Sequence, residues 1–544
     1  MISYLKKVER NQYYLLLLAF FSTACFWLAW PTNRLAPLLW IAFIPLLLIE
    51  RHIATHSYER PYRTFYKYSY LTLFLWNLTT TWWVAHALLG GAVFMVFVNT
   101  FVMSIPLPLF QWTAKHQGVT KGYVALVAYW VTMEHFHLQW QFSFPWLNLG
   151  NGFALFPSWI QWYEYTGALG GTIWILTANI LLAQLLLTNC PTWRKAWGAT
   201  AGLWILLPIL HSYHTYIHYV EQGEEVEMVT MQPNIHPETR TFVDTGEFLP
   251  IRERVERFIK LSKQQLTEKT RFLVWPEVAI NGHSFDEQIL HRYPVIERLV
   301  EFKQQYPQLS LLTGITSLVS YPKKATKTAR FSERHNFYYD VFNTALFVGQ
   351  QGILDIYHKF KLVPGAELIP YLYTVRLPKA FSSGFGSRVG SLGRQRKPTV
   401  FFNKDNVGVA PVICYESVYG DYLSEFVCKG ASLLFAITVD GWWRNTPGHQ
   451  QHFHYTRLRA IESRRGVVRS AYNGISGFVN QRGDVLKVTK YEEQAVIRHT
   501  LQANTTLTFY VRHSDYIPMA AIWLSCVFIF LVIIGRKWQK NSEK

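Results

Sequence analysis

The sequence predicts a two-part architecture: a membrane α-helical bundle of about eight transmembrane helices, and an extracytoplasmic α/β domain. Three observations predict it. Long apolar runs fill roughly the first two hundred of the 544 residues, a mixed-polarity block follows, and one apolar run closes the chain. Basic residues gather on alternate connections between the apolar runs. Inside the mixed block, short β-branched runs alternate with stretches of helical spacing. The expected domains are residues 1–211 (seven membrane helices, with a re-entrant segment near 136–170), 212–516 (the α/β domain) and 517–544 (a last membrane helix and cytoplasmic tail).

Lys6, Lys7 and Arg10 precede an apolar run over residues 12–30, which is too long for a cleaved signal and reads as a signal anchor. Ser22-Thr23-Ala24-Cys25 loosely resembles a lipoprotein cleavage box, but Ser22 stands where an aliphatic residue belongs. Further spans of membrane-crossing length lie near 35–49, 68–89, 92–112, 123–136, 171–187, 197–210 and 517–534. Their connections carry Arg51, Arg60, Arg63 and Lys67, then Lys115 and Lys121, then Arg194 and Lys195. The tail adds Arg536, Lys537, Lys540 and Lys544, whereas the intervening loops hold little beyond Arg34. Positive charge marks the cytoplasmic side, so both termini are expected there and the polar block on the outer face.

Residues 136–170 carry no Lys or Arg but hold Trp140, Phe144, Trp146 and Trp159, with Pro145 and Pro157 breaking any continuous helix. The stretch fits a re-entrant or interfacial segment, either as an aromatic anchor or as the lining of a lipid entrance. The formal charge of +18 sits largely in short loops, which assigns it to membrane topology rather than nucleic acid. Five Cys with neither framework nor metal spacing argue against disulfides and zinc, and no cofactor motif occurs. Cys428 is expected to be a buried structural thiol.

In the outer block, residues 226–231, 272–275, 309–314, 345–348, 407–413 and 433–437 read as strands, and 252–268 and 288–305 as helices. Residues 381–397, rich in Ser, Gly and Arg, are the candidate mobile outer loop. Three segments carry chemistry. Gly408–Ile413 is a buried-strand pattern that delivers Cys414 to a turn, where backbone N–H groups can face an oxyanion. A free Cys also commonly packs as a small hydrophobe. Phe272-Leu273-Val274-Trp275-Pro276-Glu277 ends a strand on a carboxylate, in other proteins most often a solvated turn residue. The lysines of Tyr357-His358-Lys359-Phe360-Lys361 fit an exposed basic turn equally well. Together the order Glu, Lys, Cys has a logic: a carboxylate takes the thiol proton, an ammonium favours thiolate and oxyanion, and the thiol carries an acyl group.

These residues carry a family resemblance. Trp-Pro-Glu277, Tyr-His-Lys359 with Leu-Val-Pro364 following, and Cys414-Tyr-Glu resemble the three signatures of the nitrilase, or carbon–nitrogen hydrolase, superfamily. The likeness continues through Thr313-Gly314, Asn343-Thr344, Asp440-Gly441-Trp442, Gln451-His452 and Arg469-Ser470 to Asn473-Gly474. With seven spans before the block and one after, and with Trp76-Asn77, Trp82-Trp83 and Phe144-Pro145-Trp146-Leu147, the chain resembles the apolipoprotein N-acyltransferase branch.

The resemblance implies an αββα sandwich and a ping-pong reaction at a bacterial inner membrane, with the outer domain in the periplasm. Cys414 would take an acyl chain from a phospholipid, typically phosphatidylethanolamine, and pass it to the α-amine of an S-diacylglyceryl-cysteine on an apolipoprotein. Glu277 would be the base, and Lys359 the oxyanion partner beside the backbone N–H of Tyr415. Glu367, Tyr415 and Glu416 match supporting positions. No metal or nucleic acid enters this scheme, and a monomer is the default expectation.

The chain departs from the family pattern in three places. Pro364-Gly365-Ala366-Glu367 shifts a glycine, Val439 stands where Asn is usual, and Thr241-Phe242 lies where a Trp often occurs. A membrane-tethered amidase acting on a soluble amide would use the same three residues, but one anchor would serve it. A non-enzymatic lipoprotein-binding or transport protein would explain the spans but not the ordered Glu, Lys and Cys. Glu134, near a span's end, forms no relay with Arg across the apolar runs.

Overall fold

The computed structural model describes residues 2–371 and 391–542, with side chains placed between 12 and 536. The chain forms two compact units. One comprises Met1–Trp82, Ala92–Ile217 and His513–Lys544; the other comprises Trp83–Gly91 and His218–Arg512.

The first unit is helical. Its helices are α1 (Ile2–Ala29), α2 (Ile44–Thr55), α3 (Pro61–Thr81), α4 (Leu89–Ser104), α5 (Pro106–Gln117), α6 (Val119–Gln139), α7 (Tyr163–Leu187), α8 (Pro191–His218) and a last helix, Tyr516–Ser542. Among the described residues, five stretches are long and apolar enough to cross a membrane: Gln12–Ala29, Ala36–Thr55, Leu89–Gln117, Tyr163–Leu187 and Tyr516–Arg536. The other three expected spans fall on α3, α6 and α8, of 21, 21 and 28 residues, which carry more polar side chains. Two boundaries differ from expectation. The span read over 68–89 stops at Thr81, where a 3₁₀ turn, Trp82–His86, follows. The span read over 92–112 is two helices, because Pro106 has no N–H to continue α4 and instead starts α5.

Residues around the loose cleavage box lie inside the continuous α1, where Ser22 Oγ donates to the carbonyl of Ala42 at 2.6 Å. The proline-broken stretch after α6 forms three 3₁₀ turns, Pro145–Leu147, Leu149–Phe153 and Pro157–Trp159, and most of it is buried within the unit. Glu134 of α6 pins it. Its carboxylate accepts from Leu149 N at 2.7 Å, Trp130 Nε1 at 3.1 Å and Thr172 Oγ1 of α7 at 2.6 Å. A buried carboxylate is tolerated because donors surround it.

Among the described residues, the second unit contains two sheets. Its strands are β1 (Glu224–Gln232), β2 (Thr270–Val274), β3 (Ile280–Asp286), β4 (Ser310–Tyr321), β5 (Arg330–Ser332), β6 (Phe337–Val348), β7 (Leu354–His358), β8 (Phe401–Phe402), β9 (Gly408–Ile413), β10 (Leu433–Thr438), β11 (Gly466–Ala471), β12 (Gly477–Val479), β13 (Val485–Val488) and β14 (Ala495–Ala503). The first sheet runs β14-β1-β2-β4-β6-β5, with β3 also on β4 and β7 on β6. The second runs β13-β12-β11-β10-β9-β8. Strands β1, β2 and β4 are parallel, as are β9, β10 and β11. Every residue of β9, β10 and β11 is buried, as expected where both faces of a parallel sheet are covered.

The sheets meet face to face. Phe272 of β2 meets Phe435 of β10 edge-on at 5.1 Å, and Ser470 Oγ donates to the carbonyl of Met231 at 2.7 Å. On its other face the first sheet buries Val229, Leu273 and Trp275 against Phe258 of α9 (Ile251–Lys263) and Leu299 of α10 (Pro294–Gln304). The single helix read over 288–305 is instead a 3₁₀ turn, Glu287–Arg292, and then α10. Pro294 forces the break by holding Tyr293 extended at φ −79°, ψ 123°. Cys428, expected to be buried, ends the Gly420–Cys428 helix in an exposed position. Residues 381–390 of the candidate mobile loop lie outside the described residues.

Candidate active site

Three strand ends deliver the residues singled out in the sequence. β2 runs into Trp275-Pro276-Glu277, β7 ends one residue before Lys359, and β9 ends one residue before Cys414. Glu277, Lys359, Cys414 and Glu367 line one cavity of about 650 Å³. Tyr415 and Glu416 do not line it.

The charged groups of the polar floor are engaged with one another. Lys359 Nζ lies 3.3 Å from Glu277 Oε1 and 2.9 Å from Glu367 Oε2. Asn343 Nδ2 donates to both acids, to Glu277 at 2.7 Å and to Glu367 at 2.8 Å. The second oxygen of Glu277 accepts from the backbone N–H of Val439 at 2.9 Å. That contact is made by the main chain, so the Asn usual at this position is not needed for it. Val439 itself belongs to the hydrophobic core. Gly365, the shifted glycine, has φ +84°, and the turn it allows brings Val363 N onto Glu367 Oε2 at 2.9 Å.

Lys359 is 1% exposed. Burial alone would push its ammonium down, but the carboxylates of Glu277 and Glu367 outweigh burial and hold it well above the usual lysine range. Burial acts on Cys414 in the opposite sense. With the Glu277 charge adding to it against the Lys359 ammonium, it pushes the thiol up to about 12. The resting site therefore holds a neutral thiol beside the Lys359 ammonium.

Cys414 sits at φ +51°, a left-handed conformation that costs a non-glycine residue roughly 1–2 kcal/mol. Its carbonyl is held from behind. Ser417 Oγ donates to it at 2.8 Å and His452 Nε2 lies 3.1 Å away. His452 Nδ1 faces Asp440 Oδ1 at 3.0 Å, and Arg469 Nη2 reaches both oxygens of Asp440. Burial would raise the Asp440 carboxyl; Arg469 and His452 instead keep it well below the usual carboxylate range. Burial and Arg469 push His452 down, so its ring is neutral.

Glu416 is a clamp between two of the three segments. Its Oε1 accepts from Tyr357 Oη at 2.6 Å and Phe360 N at 2.8 Å, and its Oε2 accepts from Ile413 N at 2.9 Å. Fully buried, its carboxyl is pushed up to about 7 by desolvation, against those hydrogen bonds. Tyr415 packs its ring edge-on against Tyr419 at 5.3 Å.

Asn343, Tyr357 and the Asp440–His452–Arg469 group carry no role in the sequence reading. Each stands within a motif of the family resemblance, but its partner is met only across the fold. Phe242, one of the two residues where the family often has Trp, is buried in the core, while Arg240 lines the cavity instead. Among the described residues, no group of three His, Cys, Asp or Glu is arranged to hold a metal ion.

Residues 230–509 match the family model for carbon–nitrogen hydrolase, and residues 22–181 match that for the apolipoprotein N-acyltransferase N-terminal domain. A protein of Chlorobaculum tepidum named apolipoprotein N-acyltransferase is 28% identical over 518 residues, covering 93% of this chain and 94% of that protein. A Geobacter metallireducens protein of the same name is 24% identical, covering 95% and 94%. Among solved structures, Saccharomyces cerevisiae Nit3, a member of branch 10 of the nitrilase superfamily, aligns at TM-score 0.37 and 15% identity, over 55% of this chain and 95% of that one.

Proposed function

Because the chain belongs to the carbon–nitrogen hydrolase family, we propose that it is an acyltransferase that N-acylates the α-amine of S-diacylglyceryl-cysteine on apolipoproteins, with a phospholipid as acyl donor. The observation that carries this reading is the cavity itself. Glu277, Lys359 and Cys414 face a space walled by Leu88, Val278 and Trp442, and that apolar wall suits an acyl chain better than a small soluble amide.

In the first half-reaction Glu277 takes the Cys414 proton as the sulfur attacks the carbonyl carbon of a phospholipid ester. The tetrahedral oxyanion is stabilised by the Lys359 ammonium and the backbone N–H of Tyr415. Collapse breaks the ester C–O bond, and Glu277 returns the proton to the departing lysophospholipid. In the second half-reaction the lipoprotein amine attacks the thioester, Glu277 accepts the amine proton, and the released sulfur takes it back. A thiol that is neutral at rest and deprotonated only as it attacks suits this cycle, since it does not react without a substrate. Glu367 holds Lys359 in place, and Glu416 ties the Lys359 turn to the Cys414 strand.

Eight membrane spans, cytoplasmic termini, a periplasmic αββα sandwich, phosphatidylethanolamine as the donor and a monomeric state complete the proposal. The arrangement of basic residues supports the topology. The test is the intact mass of the detergent-solubilised protein after incubation with phosphatidylethanolamine micelles, with Cys414→Ala as control. A hydroxylamine-labile, acyl-sized adduct on the wild type alone is the expected result. No adduct on folded protein points to a soluble amide instead, and an adduct that survives Cys414→Ala identifies another nucleophile.

A further inference from the structure

The cavity has a second polar corner, away from the Glu277–Lys359 array in chemistry and charge. Arg240, Asn281, His283 and Tyr472 all line the cavity. Arg240 makes no ion pair among the described residues, whereas Lys359, the cavity's other strong cation, is held by two acids. Behind this corner lies Arg254, a guanidinium only 2% exposed. Its Nη2 donates to the backbone carbonyl of Asn281, and its Nε has no hydrogen-bond partner. It too has no carboxylate within ion-pair distance among the described residues.

Buried charges are normally paired, because an unpaired one forfeits its hydration without compensation. Arg254 is such a charge, whereas Arg240 is exposed, lines the cavity and adds a second positive charge near Arg254. The loop that carries Arg240 is also strained, since Arg240 adopts φ +58°. Its backbone is fixed there by Arg240 N donating to His236 O and His236 N donating to Thr241 O, both at 2.8 Å. Strain of this kind in a non-glycine residue gathers at ligand-binding sites. A corner with one buried and one exposed cation, in a cavity where both acids are already engaged by Lys359, suits an anion.

We infer that Arg240, backed by Arg254 through the Asn281 carbonyl, binds the phosphodiester of the acyl donor while its ester lies against Cys414. This rests on the acyl-transfer reading above and adds the group by which the donor is recognised. Arg suits the task because its planar fork pairs with two phosphate oxygens at once. The corner also orients the donor, with the headgroup at Arg240 and the acyl chain along the apolar wall.

The experiment compares the wild type with Arg240→Gln and Arg240→Lys, each checked for folding by thermal melting. Each is acylated by phosphatidylethanolamine in micelles and, separately, by a p-nitrophenyl acyl ester, which has no phosphate. The expected result for Arg240→Gln is a fall of about tenfold to a hundredfold in the ratio of phospholipid to nitrophenyl-ester rates, with part of it regained in Arg240→Lys. An unchanged ratio, whether both rates fall together or neither falls, overturns the inference while leaving acyl transfer standing. A wild type acylated by the nitrophenyl ester but not by the phospholipid overturns the donor assignment and this inference together. Inorganic phosphate separates the two sources of the anion. If it slows the wild type on phospholipid but not Arg240→Gln, the corner takes free phosphate as well. If it slows neither while the Arg240→Gln defect holds, the corner accepts phosphate only when a lipid carries it.

Discussion

Lys359 Nζ stands 3.3 Å from Glu277 Oε1, 82 positions away in the chain, and both side chains are almost completely buried. Neither charge is stable there alone. Replacing Lys359 by Met leaves Glu277 and Glu367 as two carboxylates joined only through Asn343. Acyl-adduct formation is expected to fall about a hundredfold to a thousandfold, as for the loss of an oxyanion partner. The second unit should also lose about 3–5 kcal/mol, since one partner of a buried pair is gone. Adduct formation at the wild-type rate would remove Lys359 from the mechanism.

The Cys414 thiol, raised to about 12, sets the pH behaviour of the free protein. Iodoacetamide alkylation of Cys414, followed by peptide mass, should climb with pH through 10 without reaching a plateau. A plateau below pH 8 would mean a thiolate formed before substrate arrives. Cys190, Cys428 and Cys526 are exposed and provide internal references in the same digest.

Glu416 makes a stability prediction with a defined sign. Its carboxyl rises from 4.5 to about 7 in the folded chain. A raised value means its contribution is complete below pH 4.5 and is lost as pH rises through about 7, an effect of about 3 kcal/mol. Glu416→Gln should flatten that part of the stability profile. It should also lower stability overall by about 1–3 kcal/mol, because an amide NH₂ then faces backbone N–H donors. Urea melts of the wild type and variant at pH 4.5 and pH 7 test both statements; an equal pH response in the two proteins would refute the first.

Gly314 lies directly behind the base. A Cβ there would come within 2.6 Å of Glu277 Cα and 2.3 Å of Val278 N, which real contacts do not allow. Gly314→Ala therefore has to displace Glu277 from Lys359, at a cost of about 1–3 kcal/mol. A variant that melts slightly lower, binds phospholipid normally and acylates slowly is the expected result. Wild-type acylation rates would show that the strand end accommodates the methyl group without moving the acid.

In the helical unit, Glu134 holds Leu149 and Thr172 on one carboxylate. Glu134→Ala orphans three donors, and the unit should lose several kcal/mol, about 1–3 for each group left unsatisfied. Glu134→Gln, which keeps one acceptor oxygen, should recover part of that loss. Equal melting of all three proteins in detergent would show that the segment does not depend on this acid.

Much of the candidate site was legible because it is local. Trp275-Pro276-Glu277, His358-Lys359 and Ile413-Cys414 each place a reactive side chain one to three residues past a strand, and strand endings show in runs of neighbouring residues. Legibility failed where contacts are distant or patterns are mixed. Strand β11 carries the buried Arg469, and β14 alternates poorly, so neither reads as a strand. The 288–305 periodicity outlasts its helix because Pro294 breaks the backbone without disturbing the spacing of apolar residues.

Polarity sorting, the order of the reactive residues and the family signatures were determined by the sequence alone, since each depends on residues close together in the chain. Three relationships were decided only by tertiary structure: the Lys359 ammonium between two acids, the Cys414 carbonyl held by Ser417 and His452, and Arg240 and Arg254 without an acid among the described residues. Charge state, desolvation and strain depend on distances across the fold, and those exist only once the two sheets have packed.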